Sequence, residues 1–223
     1  VQIAKRLADS LGLELEIVKL EWDGLPPALE SGMIDVIIAG MSPTPERLQQ
    51  MDFSNSYYSS DIVLVTMADS EYADATALED FAGTTVTGQL NTFHYDLIPQ
   101  ITDVTQATAL DSFPTMITAL TAGSVDAYVS EKPGAMAAVA ANPDLTYVEF
   151  AEGQGFNLGE VTSDIAVASR KDSPLTDIMN QALATIPTAD RDQLMEDMVN
   201  LNERGESAGF WSEVAGIWDT YGP

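Results

Sequence analysis

The sequence predicts an α/β protein whose mostly parallel β-sheets are flanked by helices. Stretches with helical and with strand periodicity alternate along most of the 223 residues, and this alternation is typical of strands joined by crossover helices. The apolar run at 34–39 suits an interior parallel strand. Hydrophobic residues make up 45% of the chain, which is enough for a core of that kind.

The amino-terminal part of the chain predicts helices and strands in turn. Apolar residues recur at helical spacing over 1–11 and alternate with glutamates over 13–17, which predicts a helix followed by a half-buried strand. Two prolines fit the first turn of a short helix over 26–31. After the apolar strand, Thr44 is placed to cap a helix whose first residue is Pro45.

The rest of the chain continues the alternation. We expect strands at 61–66, 84–87 and 126–130, and helices at 92–98 and 112–121. The same pattern extends through 133–141, 146–149, 164–169, 173–184 and 188–201, before an aromatic-rich tail at 210–221.

The charge balance excludes whole classes of function. The chain has 35 acidic and nine basic residues and a formal net charge of -26. Affinity for nucleic acids comes from lysine and arginine on phosphates, so we expect no nucleic-acid partner. The absence of cysteine excludes disulfides, zinc–thiolate sites, iron–sulfur clusters and a thiol nucleophile.

The segment 34–47 carries the strongest local signal. A buried strand there ends at a glycine turn and leads into a capped helix, an arrangement that places ligand-binding groups at the carboxyl edge of a sheet. Gly40 permits close approach of the backbone, Ser42 can donate to an oxygen, and Arg47 can grip a carboxylate through two parallel hydrogen bonds. The alternative for Arg47 is a surface salt bridge at a helix end.

Two further strand ends are candidates. Gln89, Thr92 and Phe93 stand where a strand runs into a helix start, whose free amides favour an anion. Simple capping by Asn91 or Thr92 is the alternative there. Glu131 ends another strand and can hold an ammonium group, or it is an acid stabilised by the dipole of the next helix.

Signals for catalysis are weak. His94 is the only histidine, and the sequence has neither a nucleophile-elbow serine nor a phosphate-cradling glycine loop with lysine. The glycines at 153–159 miss the spacing of a dinucleotide site. We therefore expect no catalytic residue, no cofactor and no metal site.

Three segments taken together resemble a known family. Residues 22–29 match an aromatic-x-Gly-x-x-Pro-Ala-Leu pattern, and residues 39–47 followed by 52–58 are close to the family's most specific signature. The likeness runs over essentially the whole chain. On these grounds the sequence is similar to the family 3 extracellular solute-binding proteins of polar amino-acid ABC transporters.

The resemblance implies a role for each candidate residue. Arg47 and the Ser42 hydroxyl would clamp the α-carboxylate of an amino acid, while the Gly40 carbonyl and Glu131 would receive its α-ammonium. Trp22 would form an apolar wall. Many family members carry Asp where Glu131 stands.

Other residues would act from the opposite side of the ligand. Thr92 and the Phe93 amide would add carboxylate contacts, with Gln89 nearer the ligand side chain. Besides Gln89, we expect Asn91 and Ser130 to face that side chain. A pocket able to hydrogen-bond a polar terminus rejects ligands that leave its groups unpaired, which favours a polar or basic amino acid over leucine or valine.

The resemblance also implies a periplasmic-binding-protein type II fold with two lobes joined by two hinge strands. Lobe 1 would be 1–65 plus 164–223 and lobe 2 would be 66–163, with crossings near Thr66 and Ser163. A ligand bridging the lobes would favour a closed state. The family normally begins with a strand and a loop that bears a ligand-stacking aromatic residue, so we expect lobe 1 to lack that strand and one wall of its pocket.

The implied activity is binding without chemistry. A monomer outside the cytoplasm, in the periplasm or lipid-anchored on the outer cell surface, would capture an L-amino acid and deliver it to the membrane permease of an ABC transporter. Two alternatives are a ligand-sensing domain of a receptor and a periplasmic dehydratase of cyclohexadienyl substrates on the same fold. Glu131 is the candidate general acid of the second.

Overall fold

Helices and strands alternate over residues 2–194, the part of the chain that the computed structural model describes. The helices are α1 (Gln2–Leu11), α2 (Leu25–Ser31), α3 (Arg47–Gln50), α4 (Phe93–Leu97), α5 (Phe113–Thr121), α6 (Lys132–Ala141) and α7 (Leu175–Ala184). The strands are β1 (Val36–Ile37), β2 (Met51–Phe53), β3 (Tyr58–Ser59), β4 (Ile62–Met67), β5 (Thr85–Thr87), β6 (Thr105–Gln106), β7 (Ala127–Glu131), β8 (Leu145–Val148), β9 (Asp164–Ile165) and β10 (Ala168–Arg170). Within this range, the helices are too short or too polar to span a membrane.

The strands form two small sheets and one large sheet. The small sheets have the orders β1-β10-β2 and β3-β9, and all their pairs are antiparallel. The large sheet has the order β6-β5-β7-β4-β8. In it β5 runs parallel to β6 and β7, whereas β4 runs antiparallel to β7 and β8. The β7–α6–β8 crossover therefore joins two strands of the same direction with β4 between them.

The predicted α/β class is confirmed, but the pairing is less parallel than expected. Among the described strands, parallel pairs involve only β5, because β4 and β10 each lie between strands that run the other way. The apolar run at 34–39 contributes a strand of two residues at a sheet edge, paired antiparallel to β10. Whether two strands pair parallel or antiparallel depends on the path of the whole chain. A local run of apolar residues does not predict it.

Most predicted elements lie where the periodicity placed them. The ends of α1, α2, α5, β4, β5 and β7 differ from expectation by at most one residue. The strand expected at 164–169 is divided into β9 and β10. The helix expected at 188–201 is helical over 188–194, and its remainder and the tail at 210–221 lie outside the described residues.

The strand predicted at 13–17 is wrong. Leu13, Leu15 and Ile17 are 58%, 38% and 46% exposed, and none of residues 13–17 has strand pairing in the described structure. A β-strand needs a neighbour to complete its ladder of hydrogen bonds, and residues 2–194 provide none at this place.

The core of the large sheet lies on both of its faces. Along β4, Val63 and Val65 pack on one face, and Leu64 packs with Phe81 and Ile98 on the other, as the alternation of side chains along a strand requires. Separate apolar clusters join α1 to α7 and α2 to the β1-β10-β2 sheet.

The chain passes between the small sheets and the large sheet at two adjacent segments. The Ser60 amide donates to the Ser163 carbonyl at 3.3 Å, just before β4 and β9 begin. Because β4 pairs along its length with β7 and β8, the first passage precedes Ile62.

Candidate functional site

A cavity of about 410 Å³ is lined by residues from both groups of sheets. Cavities of this size are typical of small-molecule sites. Most of the residues predicted from sequence to contact the ligand line it, namely Trp22, Gly40, Arg47, Gln89, Thr92, Phe93 and Glu131. Three segments far apart in the sequence thus meet in one place.

The turn that follows β1 is fixed by its backbone. Gly40 has a φ of 74°, a conformation that glycine adopts without strain. The next residue, Met41, is buried, and its carbonyl accepts a hydrogen bond from the Ala166 amide at 3.1 Å. Burial raises the pKa of the neighbouring Tyr57 to about 12, so this phenol stays protonated beside the turn.

The start of α3 positions Arg47. The Arg47 amide donates to Oγ1 of Thr44 at 3.3 Å, but the helix begins at Arg47 and not at the predicted Pro45, and Glu46 stands at its N-cap position. The guanidinium donates through Nη1 to the Ser42 carbonyl at 3.0 Å, and its Cζ lies 5.3 Å from the ring centroid of Trp22. Stacking of this kind holds the planar group in one orientation.

The guanidinium of Arg47 is a partly desolvated charge. Burial lowers its pKa, and the carboxylates of Glu131 and Glu46 oppose that change. Arginine nevertheless remains cationic in proteins. No carboxylate among residues 2–194 lies within ion-pair distance of it, so the structure does not contain the surface salt bridge that was the alternative reading.

Ser42 lies beside the cavity and not in its lining. The residue is buried, and its Oγ atom has no hydrogen-bond partner among the described residues. Its carbonyl is the group that contacts Arg47. Contact between the Ser42 hydroxyl and a ligand carboxylate stays a prediction.

The opposite wall is formed by the loop between β5 and α4. Thr92 donates through Oγ1 to the Gln89 carbonyl at 2.7 Å, and Gln89 donates through Nε2 to the Asp111 carbonyl at 3.1 Å. Thr92 stands at the first position before α4, yet its own side chain makes no capping hydrogen bond to that helix. The alternative, simple capping of α4 by Asn91 or Thr92, is therefore not observed.

Glu131 presents its carboxylate to the cavity. It is the last residue of β7 and precedes α6, but its side chain makes no capping hydrogen bond to that helix. A Cβ atom added to Gly40 would stand 3.8 Å from Oε2 of Glu131, so the carboxylate faces the turn after β1. The carboxylate of Glu131 therefore does not cap the amino-terminal end of α6, which was the alternative.

His94 is the cavity residue that sequence reasoning set aside. Its Nε2 lies 3.3 Å from Oε1 of Glu131, within ion-pair distance, but it is buried without a well-directed hydrogen bond. Its ring rests against that of Phe93, with centroids 4.3 Å apart. A lone histidine carries no motif, so its adjacency to Phe93 was the only available signal.

Of the polar residues expected to face a ligand side chain, Gln89 alone lines the cavity. The prediction for Ser130 is wrong, because this residue is fully buried and its hydroxyl donates to the Glu131 carbonyl at 3.0 Å. Asn91 instead donates to Asp23 across the rim at 2.9 Å.

The sequence matches one protein family over most of its length. Residues 1–199 fit the bacterial extracellular solute-binding proteins, family 3. The chain belongs to this family. Its members' two-lobed fold accounts for a cavity whose lining comes from two groups of sheets, and this solute-binding protein has that fold.

Known relatives of this solute-binding protein include transporter components. It is 32% identical over 200 residues to the arginine-binding extracellular protein ArtP of Bacillus subtilis, an alignment that covers 82% of this chain and 69% of that protein. It is 28% identical over 183 residues to a probable histidine-binding protein of Campylobacter jejuni, covering 81% and 68%. The crystal structure of the amino-acid ABC transporter protein AbpA from Streptococcus pneumoniae, bound to L-arginine, superposes with a TM-score of 0.75 at 27% identity and covers 90% of this chain and 83% of that one.

Proposed function

We propose that this solute-binding protein captures a free L-α-amino acid in its cavity and presents it to an ABC importer. One observation carries the proposal: Arg47, the first residue of α3, and Glu131, the last residue of β7, line the same cavity. A zwitterionic amino acid has a carboxylate for the guanidinium and an ammonium for the carboxylate. Each of these contacts is a charge-assisted hydrogen bond, the strong kind.

The remaining lining residues fit the two ends of such a ligand. Thr92 and the Phe93 amide support the carboxylate from the wall opposite Arg47, with the Ser42 hydroxyl behind it. The Gly40 carbonyl supports the ammonium at Glu131, which the short distance between these two residues favours. Trp22 closes one apolar side, and Gln89 meets the ligand side chain.

The ligand side chain is polar or cationic in this proposal. Besides Glu131, the cavity is lined by Glu21 and Asp111, and beyond Arg47 its basic residues are Lys19 and His94. Hydrogen bonds from Thr115 and Ser112 lower the pKa of the Asp111 carboxyl, so it is anionic. The names of the relatives, which refer to arginine and histidine, agree with this class. Leucine or valine would leave these polar groups unpaired.

The two lobes divide the chain at its two passages between sheets. Of the described residues, we place 2–61 and 164–194 in lobe 1 and 62–163 in lobe 2, which moves the first sequence-based boundary so that β4 stays whole. A ligand held by both lobes favours their closed arrangement. In this proposal the protein is a monomer without catalytic activity, acts in the periplasm or lipid-anchored on the outer cell surface, docks on the transporter permease and binds no nucleic acid.

A dehydratase is the second candidate, and one contact favours it. Glu131 and His94 together form a carboxylate–imidazole pair in the cavity, an arrangement that serves acid–base chemistry in enzymes. A ligand-sensing domain would bind the same amino acid and differ only in the chain to which it is joined.

A calorimetric screen against the twenty amino acids tests the proposal. We expect heat of binding from polar and basic L-amino acids, and mass spectrometry after incubation should recover each of them unchanged. Conversion of a cyclohexadienyl substrate would favour the dehydratase. Absence of binding by every amino acid would contradict the proposal.

A further inference from the structure

Asn91 lies at the rim of the cavity and contacts three residues on the opposite side of it. Its Nδ2 donates to Oδ1 of Asp23 at 2.9 Å. Its carbonyl accepts hydrogen bonds from Nη2 of Arg47 at 3.3 Å and from Nε1 of Trp22 at 3.5 Å. Trp22, Asp23 and Arg47 precede β4, whereas Asn91 follows β5 of the large sheet. Each contact therefore joins the two groups of sheets.

The backbone of Asn91 is held in an uncommon conformation. Its φ is 58°, in the left-handed region that asparagine tolerates better than most residues. The preceding residue, Leu90, donates its amide to the Leu110 carbonyl at 2.7 Å, so the loop is anchored to the sheet. The side chain is thereby free to bond Asp23 instead of capping α4.

We propose that Asn91 is a latch residue, whose contacts with the opposite side of the cavity stabilise the closed cleft. Opening the cleft separates its two sides and breaks these contacts. The contacts therefore stabilise the closed arrangement relative to the open one. The inference rests on the lobe closure of the proposed function. Each contact joins two protein groups, and its effect is therefore independent of which amino acid binds. The latch slows the release of a bound ligand.

Lobe separation in the ligand-free protein tests the latch directly. The chain contains no cysteine, so the substitutions Glu30→Cys and Thr118→Cys at exposed positions of α2 and α5 give one defined pair of spin labels. We compare this pair in otherwise wild-type protein with Asn91→Gly and Asp23→Ala. Glycine keeps the left-handed backbone, so Asn91→Gly removes the side-chain contact without strain.

We expect both variants to shift the label distances toward longer values. The double variant should shift no further than either single one, because both remove the same hydrogen bond. Asp103→Gly is the matched control, since Asp103 is also exposed and left-handed, with a φ of 53°, and makes none of these contacts. Unchanged distances in both latch variants, or an equal shift in the control, would overturn the proposal.

Ligand release gives a second readout. We expect Asn91→Gly to release L-arginine about 3- to 10-fold faster than wild type in stopped-flow measurements, as the loss of one hydrogen bond implies, with Asp103→Gly unchanged. Equal release rates would contradict the latch. If the wild-type protein does not bind L-arginine, arginine is not its ligand. The distances between the spin labels in the ligand-free protein still test the latch in that case.

Discussion

His94 and Glu131 form a pair beside the cavity, with Nε2 of His94 3.3 Å from Oε1 of Glu131 and the two side chains 10% and 16% exposed. A carboxylate so far removed from water needs a partner. His94 on α4 supplies one from within the large-sheet lobe and leaves Oε2 directed at Gly40. The imidazole thus flanks the acid that we assign to the ligand's ammonium.

His94→Phe should weaken amino-acid binding by roughly 3- to 30-fold. Phenylalanine retains the apolar packing against Phe93 but removes the imidazole that lies within ion-pair distance of Glu131, and a part-buried carboxylate that loses a polar neighbour is destabilised by about 1 to 2 kcal/mol. Calorimetry with L-arginine measures the change. His94→Gln, which keeps a hydrogen-bond donor, should lose less affinity, and wild-type affinity in His94→Phe would remove the residue from the binding machinery.

Arg47→Ala should reduce affinity by about 30-fold or more while the fold persists. Loss of one partner of a buried, hydrogen-bonded charge pair costs about 2 to 5 kcal/mol. Arg47→Lys should also bind poorly, because an ammonium cannot reproduce the planar fork. The control is Arg6→Ala, whose exposed side chain pairs with Asp190 and does not line the cavity. Equal affinity in Arg47→Ala and Arg6→Ala would argue against a clamp at Arg47.

L-Arginine should draw the two lobes together. Arg47 and Glu131 belong to different lobes in our assignment, so a ligand that contacts both favours closure. Small-angle scattering should give a smaller radius of gyration at saturating ligand than without it, and Arg47→Ala at the same concentration should show no change. A wild-type profile that stays constant at saturation would indicate a rigid cavity.

The Asp52 carboxylate ties the segment after α3 to the end of β10. Its oxygens accept hydrogen bonds from Nζ of Lys171 and from the Asp172 amide, both at 2.7 Å, and the bond from Lys171 is the main cause of the lowered pKa of Asp52. The carboxyl of an unfolded aspartate has a pKa of about 3.9. Because the pKa of Asp52 is lower in the folded protein, its ionised carboxylate stabilises the fold at pH values above about 3.9. This stability is lost as the pH falls through the pKa of the folded protein.

Asp52→Asn should therefore lower Tm by roughly 1–3 °C at pH 7, and the difference should shrink toward pH 3. Thermal unfolding followed by circular dichroism at both pH values measures this. Asp9→Asn is the control, because its partner Lys5 is four residues away on an exposed helix face, where such pairs contribute little. A difference that grows as the pH falls would contradict the assignment.

Local chemistry made the binding turn predictable from sequence. The left-handed backbone of Gly40 and the hydrogen bond from the Arg47 amide to Thr44 depend on residues within a few positions, so the segment 34–47 could be identified before its neighbours were known. Arg47 lies at the cavity as the first residue of α3. The helices and longer strands were placed well for the same reason, since their periodicity is local.

The short strands and the contacts between distant segments could not be predicted from sequence, because they depend on how remote parts of the chain pair. The short strands β2, β3 and β6 carry too few residues for a periodic signal, and the apolar alternation at 13–17 lacks a ladder partner among the described residues. The contact of His94 with Glu131 depends on the parallel pairing of β5 with β7, which brings α4 beside the end of β7. Ser130 was misplaced because alternation along β7 turns its side chain away from the cavity.

The central claim is that Arg47 and Glu131 hold the two ends of an amino acid, and a matched ligand series measured by calorimetry tests it most directly. L-Arginine is compared with agmatine, which lacks the α-carboxylate, and with 5-guanidinopentanoic acid, which lacks the α-ammonium. We predict heat of binding for L-arginine alone, and its loss in Glu131→Gln but not in Glu149→Gln, whose side chain pairs with Lys132 outside the cavity. Binding of agmatine or of the deaminated acid as tightly as L-arginine would contradict the claim.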